Sequence, residues 1–377
     1  MNSSEVVDLS KLTLVMPTCN RQNFAIRNMK YWSNTNVKLI VLDDSPKPIN
    51  QSIIQSVSKN INYIHLEKSW KERIMTAFDL INTKYVQLIA DDEFYIISAI
   101  ENCIKELENN ESIISCTGCC LKFVVNKEDK KIYSKYVYQR LYNNYEHTIH
   151  ENPKKRLVSF MKNYHPFPIY SITRSSAWKK AFKIPTIQKF NLYAYEEIQI
   201  NMFLSFAGKC KVIKELLWLR SEGENIPIRD NFIDKQEPPN SFENWWNSET
   251  NQRDNFIAIM VENLNDFNHD PDLNYKDIVI ESLNTYLLGG ADWEKNRMNH
   301  IKDEKGILIF YLILIFNFIK KFIPKKIKNF IKKLNIYKNR QKLLLNCAKT
   351  FNRKGISVDS KKLNEIYTVI ENFHFKR

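Results

Sequence analysis

The chain has 377 residues, 44% of them hydrophobic, and a formal net charge of +14, which allows a large catalytic domain with an accessory region and excludes a disordered chain. Only seven glycines are present, with no G-x-G-x-x-G or Walker-type run, so no glycine-rich phosphate loop can be drawn and P-loop or dinucleotide folds are disfavoured. The basic excess does not point to nucleic acid, because ten of the positive charges fall in one segment between Gly306 and Lys342 that has no Asp or Glu.

The first 125 residues alternate strand and helix signals. Short apolar runs, Leu12 to Met16, Val37 to Leu42, Ile61 to Leu66 and Tyr85 to Ala90, are separated by helix-length segments such as Gln22 to Trp32 and Trp70 to Ile81. This spacing predicts β-α-β units and a mostly parallel sheet with helices on both faces. Ligands bind beyond the carboxyl ends of such strands. Three polar clusters fall at that edge: Pro17-Thr18-Cys19-Asn20, Asp43-Asp44-Ser45 and Asp91-Asp92-Glu93. Adjacent carboxylates repel, so the last cluster calls for a cation or a ligand rich in donors. Hard oxygen ligands of this kind suit Mg²⁺ or Mn²⁺ held with a substrate diphosphate. Lys71 and Arg73, on the preceding helix, are placed to face that diphosphate. Asp43 can accept hydrogen bonds from a ribose or a base.

Beyond Lys127 the pattern is mixed. Lys131 to Gln139 alternates like a solvent-facing strand, Asn152 to Lys162 reads as helix, and Ile169 to Thr173 as a strand. Leu192 to Phe206 is helical in length and Lys209 to Leu219 returns to strand character. Cys116-Thr117-Gly118-Cys119 has C-x-x-C spacing without a second pair, and reads as buried thiols in a strand. His147 and His150 lack the partners of a zinc site. Pro238-Pro239 marks a boundary, followed by helices anchored by Trp245, Trp246 and Trp293. The expected organisation is a catalytic domain over 1–235, a helical accessory region over 236–305 and a basic amphipathic tail over 306–377.

Within the tail, Ile307 to Ile319 is thirteen uncharged residues, short of the roughly 20 that span a bilayer. Ile323, Ile327, Phe330, Ile331 and Leu334 follow at helical spacing, with lysines opposite. Lys320, Lys321, Lys325, Lys326, Lys328, Lys332 and Lys333 are therefore expected at an anionic membrane surface. The N-terminal MNSSEVVDLS has neither a basic n-region nor an apolar h-region. Together with the unpatterned cysteines, this predicts a cytoplasmic protein, peripheral on the inner face of the membrane.

The runs LTLVMPTCNR, VKLIVLDDS and KERIMTAFDLINTKYVQLIADDE, in this order, resemble the N-terminal half of family 2-type bacterial glycosyltransferases with the GT-A fold. The likeness covers roughly residues 11 to 220. It implies an α/β, Rossmann-like, mostly parallel sheet with flanking helices and a C-terminal helical region. It implies that Pro17, Thr18, Asn20, Arg21, Asp43, Lys71, Arg73, Asp91 and Asp92 surround a nucleotide-sugar donor. Glu93 then stands at the metal position of a D-x-D-like motif, with Asp92 as its competitor. A Glu there departs from the usual Asp, and its longer arm leaves the assignment between the two open.

The run AYEEIQINMFLSFAGKCKVIKELLWLR resembles that family's acidic pair at a helix start, followed by an apolar helix, Gly-Lys, a strand and an arginine. The match implies Glu197 as general base of an inverting transfer, with Glu196 beside it. The implied acceptor is a growing surface glycan or glycolipid, as in capsule or lipopolysaccharide biosynthesis. Alternatives are a retaining glycosyltransferase, a sugar nucleotidyltransferase without its usual glycine-rich loop, and a non-catalytic membrane-associated assembly protein.

Overall fold

The computed structural model describes residues 8–135, 148–192, 194–222, 242–290 and 341–375. In chain order its elements are β1 (Leu12–Thr18), α1 (Gln22–Trp32), β2 (Lys38–Asp43), α2 (Gln51–Gln55), β3 (Ile61–His65), α3 (Trp70–Leu80), β4 (Tyr85–Leu88), β5 (Phe94–Tyr95), α4 (Ile97–Asn109), β6 (Ile113–Asn126) and β7 (Lys131–Lys135). There follow α5 (Pro153–Lys162), β8 (Ile172–Arg174), α6 (Ser175–Ile187), α7 (Tyr195–Ala207), β9 (Lys209–Ser221), α8 (Phe242–Ser248), α9 (Thr250–Asn268), α10 (Tyr275–Thr285), β10 (Gln341–Leu343), α11 (Leu344–Arg353) and α12 (Ser360–Phe375).

The strands form one sheet in the order β10-β7-β6-β8-β4-β1-β2-β3, with β9 pairing β5 and β6. Strands β3, β2, β1 and β4 run parallel, as the β-α-β spacing predicts, while β8 enters antiparallel between β4 and β6. The interior of β1 and β2 is an unbroken buried run, the pattern of strands covered by helices on both faces. Pro17 lies inside β1 rather than closing it. Pairing with β4 ends at Val15, so at Pro17 only the β2 side is in register and the missing amide N–H is tolerated.

Two local devices set up the ligand-binding edge. Ser69 and Glu72 form a reciprocal capping box at the start of α3, which fixes where Lys71 and Arg73 begin their turn. At the end of α7, a side chain on Gly208 would sit 2.0 Å from a side-chain carbon of Ile114. Only glycine lets the chain pass so close to β6 and enter β9.

Helices α9 and α10 pack against α5, α6 and α7 and so extend the apolar core beyond the sheet. Residues 341–375 fall within the segment expected as a tail. They return to the central sheet: β10 pairs β7, Ser357 exchanges backbone hydrogen bonds with Lys214 and Leu216 of β9, and α12 lies against α1. The apolar run and the lysines from Lys320 to Lys333 lie outside the described residues, as do His147, Pro238-Pro239 and Trp293. Among the described residues, no helix is long and apolar enough to cross a membrane. The cysteines Cys116 and Cys119 are buried and free in β6, in keeping with the structural reading.

Candidate active site

The carboxyl ends of β1, β2 and β4 bring the three polar clusters to one edge. Beyond β1, Asn20 adopts a left-handed conformation with φ 56°, which asparagine tolerates, and its N–H donates to Ser45 Oγ at 2.9 Å. The turn delivers Arg21 to the acidic loop. Its guanidinium lies 3.2 Å from Asp91 Oδ1 and 2.6 Å from Asp92 Oδ2. The three side chains are only 7–13% exposed, so water does little to screen them. The repulsion between neighbouring carboxylates is thus relieved first by a cation of the chain itself. Thr18 Oγ1 donates to Asp91 Oδ2 at 2.7 Å. Burial pushes the Asp91 carboxyl up to about 6, against the opposing pull of Arg21 and Thr18. From α1, buried Asn28 donates to the carbonyls of Asp91 and Glu93 and so pins the loop backbone.

Glu93 faces the other way. Its Oε2 accepts from Trp218 Nε1 at 2.7 Å and lies 3.5 Å from the Tyr95 hydroxyl. Arg220 Nε stands 3.6 Å from Oε1. Burial pushes its pKa up to about 8, opposed by Arg220.

At the end of β2, Asp43 is fully buried and heavily engaged. It accepts from the Ser45 N–H and hydroxyl, from Tyr63 and from Gln22, all at 2.6–2.9 Å. Four donors saturate one carboxylate, so Asp43 organises the turn in this conformation. Arg73 is also buried. It donates to the carbonyls of Thr18 and Leu42 and lies 3.6 Å from Asp44, tying the ends of β1 and β2 together beneath the surface. Pro17 is half-buried at this edge.

A second group of side chains stands at the start of α7. Ala194 takes φ 56°, a conformation that costs an L-residue on the order of 1–2 kcal/mol, and the helix opens with Glu196 and Glu197 in its first turn. Lys71 reaches across from α3. It hydrogen-bonds the Tyr195 hydroxyl and lies 4.0 Å from Glu196. Burial lowers its pKa, opposed by Glu196. Glu197 Oε1 accepts from the Tyr164 hydroxyl at 3.1 Å. Burial raises the Glu197 pKa, with the Tyr164 hydrogen bond and Arg220 pulling the other way. Arg220 therefore acts on both Glu93 and Glu197, which links the end of β9 to the acidic loop and to the start of α7.

Among the described residues, no three ligating side chains converge as a preformed metal cluster. Asp91 and Asp92 share Arg21, and Glu93 is turned into Trp218. Asp92 is the least buried of the three acidic-loop carboxylates, with Arg21 as its close partner. One carboxylate with two substrate phosphates and waters is a set that suits Mg²⁺, so the donor chemistry fits a divalent ion at Asp92 better than at Glu93.

The three clusters at the strand ends are thus brought together, Lys71 joins the start of α7 rather than the acidic loop, and Arg73 is turned inward. Arg220 is the arginine that closes the run AYEEIQINMFLSFAGKCKVIKELLWLR, to which the sequence alone gave no role. The rule that located the acids also applies to it, since β9 is parallel to β6 and ends at the same edge. Tyr164, Asn28, Asn201 and Trp218 have no such signal; their roles come from packing alone.

Residues 13–182 match the family described as Glycosyl transferase family 2, so this part of the chain carries a family 2 glycosyltransferase domain. Among solved structures, S. aureus TarS 1-349 is similar with a TM-score of 0.44 and 13% identity, over 74% of this chain and 72% of that one. A longer S. aureus TarS structure gives 0.42 and 13% over 73% and 43%. S. aureus TarS 1-349 in complex with UDP-GlcNAc gives 0.41 and 12% over 74% and 72%. No curated protein matches the sequence.

Proposed function

We propose that this protein transfers a sugar, with inversion, from a nucleoside-diphosphate donor to a hydroxyl of a membrane-associated glycan or glycolipid, using Glu197 as general base. The observation that carries this reading is a partly buried Glu197 at the start of α7, held by the Tyr164 hydroxyl, with Arg220 acting on it and on Glu93 of the acidic loop. The acceptor hydroxyl attacks the anomeric carbon while its proton passes to Glu197. The new C–O bond forms as the bond from that carbon to the diphosphate oxygen breaks, and the electron pair leaves with the nucleoside diphosphate. Arg21 and Arg220 favour that anion at the strand ends. A divalent ion held by Asp92 would stabilise the charge developing on the leaving diphosphate. Thr18, Asn20 and Ser45 border the position of the base and ribose. The acid-free basic run from Lys320 to Lys342 supports action at an anionic membrane surface.

Hydrolysis and transfer from a panel of UDP-, GDP- and dTDP-sugars, with and without EDTA and Mn²⁺, test the reading. Turnover that needs the metal, drops about 10²-fold or more in Glu197→Gln and keeps the donor KM near wild type is the expected outcome. Full turnover in chelator would remove the metal from the mechanism. Full turnover in Glu197→Gln would move the base elsewhere.

A further inference from the structure

Behind Glu197 stands a short chain of polar groups with a defined direction. The Asn201 amide is fixed at both ends. Its Oδ1 accepts the Ile169 N–H at 3.0 Å, and its Nδ2 donates to the Glu197 carbonyl at 2.8 Å. With its acceptor oxygen committed to a backbone N–H, the Nδ2 faces the Tyr164 hydroxyl at 3.3 Å and can only donate to it. The phenol must then direct its own hydrogen outward, and Glu197 Oε1 is at 3.1 Å in that direction. Asn201 is fully buried and Tyr164 nearly so, so water does not compete for either group. The Tyr164 ring is held edge-on by Tyr286 at a centroid distance of 5.0 Å and by Phe160 at 5.4 Å. Tyr286 in turn packs edge-on against Phe242 of the accessory helices.

We propose, resting on the reading of Glu197 as base, that Tyr164 and Asn201 are positioning residues: they hold Glu197 Oε1 and leave Oε2 as the oxygen that takes the acceptor proton. The order of donors runs one way, from Asn201 to Tyr164 to Glu197, and locks the carboxylate rotamer before the acceptor arrives. The accessory helices reach the site through this lock, because Tyr286 packs edge-on against both Tyr164 and Phe242. The charged and titratable groups facing Glu197 are Tyr164 after α5, Arg220 at the end of β9 and Tyr286 after α10. The phenol and the guanidinium both favour the ionised carboxylate.

The test compares Tyr164→Phe, Asn201→Ala and Glu197→Gln in hydrolysis of whichever sugar nucleotide of the panel the wild type turns over. Tyr164→Phe keeps the ring stack and removes only the hydroxyl. A hydrogen bond to a charged group corresponds to about one to two pKa units. The acid limb of kcat against pH should therefore move up by about that much, with kcat down about tenfold or more at pH values below the wild-type midpoint and donor KM unchanged. Asn201→Ala should shift the limb in the same direction by less, because the phenol is then free to rotate. If Glu197→Gln is inactive while Tyr164→Phe keeps the wild-type limb, the positioning role is wrong and the base stands. If Glu197→Gln keeps wild-type activity, the base assignment itself has failed. A fall in kcat without a shifted limb in Tyr164→Phe also overturns the proposal, since a purely structural ring would behave in that way.

Discussion

At the scale of single residues, the donor edge is organised by buried charge. Arg21 is the counter-ion of Asp91 and Asp92, and its stem is backed by the Phe24 ring at 4.8 Å from the guanidinium carbon. Breaking one side of a buried ion cluster costs about 3–5 kcal/mol, because the remaining charge is left uncompensated. Arg21→Ala should therefore lower stability by an amount in that range and weaken donor binding, whereas Arg21→Lys should recover part of the stability. Chemical denaturation and nucleotide titration read the two effects; an Arg21→Ala variant as stable as wild type would mean that water already screens the acids. Glu197 sets a pH dependence. Its pKa is raised by burial, and the base works only when ionised. Activity should rise with pH, with its midpoint above the ordinary glutamate value of about 4.3. A rate independent of pH down to that value would show that Glu197 is ionised throughout and that the proposed environment is wrong.

At the scale of elements, the unexpected piece is α12. Leu363, Ile366 and Ile370 are buried at helical spacing, and Phe373 meets Phe24 at 5.1 Å and Arg27 at 4.7 Å. The helix thus backs α1, the same helix that carries Arg21 and Asn28 to the acidic loop. Ile366→Ala removes a fully buried side chain and should destabilise the protein by about 2–5 kcal/mol, measured by urea unfolding; a change below about 1 kcal/mol would place α12 outside the cooperative core. His374 on this helix is depressed to about 4 by burial, then by Arg27 and Lys127. A depressed histidine contributes stability that is whole above its unfolded value near 6.5 and is lost as pH falls toward 4. Limited proteolysis of the C-terminal segment should accelerate across that interval and should do so less in His374→Phe. An equal rate at pH 7 and pH 4.5 would contradict the docking of His374 as a neutral ring.

At the scale of the whole molecule, membrane association and folding separate. Truncation after residue 305 removes β10, α11 and α12 along with the basic run. It should give a poorly soluble or unstable protein, because β7 loses its outer neighbour and α1 its cover. Replacing Lys325, Lys326, Lys328, Lys332 and Lys333 by Gln leaves those elements in place. It should keep the melting temperature and donor hydrolysis while lowering binding to anionic vesicles, most visibly at low salt. Equal flotation of the variant and wild type with anionic vesicles would sink the electrostatic part of the membrane reading. A soluble, fully active truncation would show that the C-terminal elements are dispensable.

Local patterns carried the strands and helices of the donor half, because apolar runs of strand length between helix-length segments admit few arrangements other than a parallel sheet. The edge rule then placed Asp43, Asp91, Asp92 and Glu93 together without any knowledge of contacts. Four matters were decided only by tertiary packing. Arg21 is the immediate side-chain partner of Asp91 and Asp92. Glu93 is turned inward to Trp218, 125 residues away. Arg73 is spent on holding two strands. Residues 341–375 belong to the central sheet, although they follow a basic stretch that reads as a tail. In each case the deciding partner is distant along the chain, and burial multiplies the strength of a charge or hydrogen bond that the sequence shows only as a residue type.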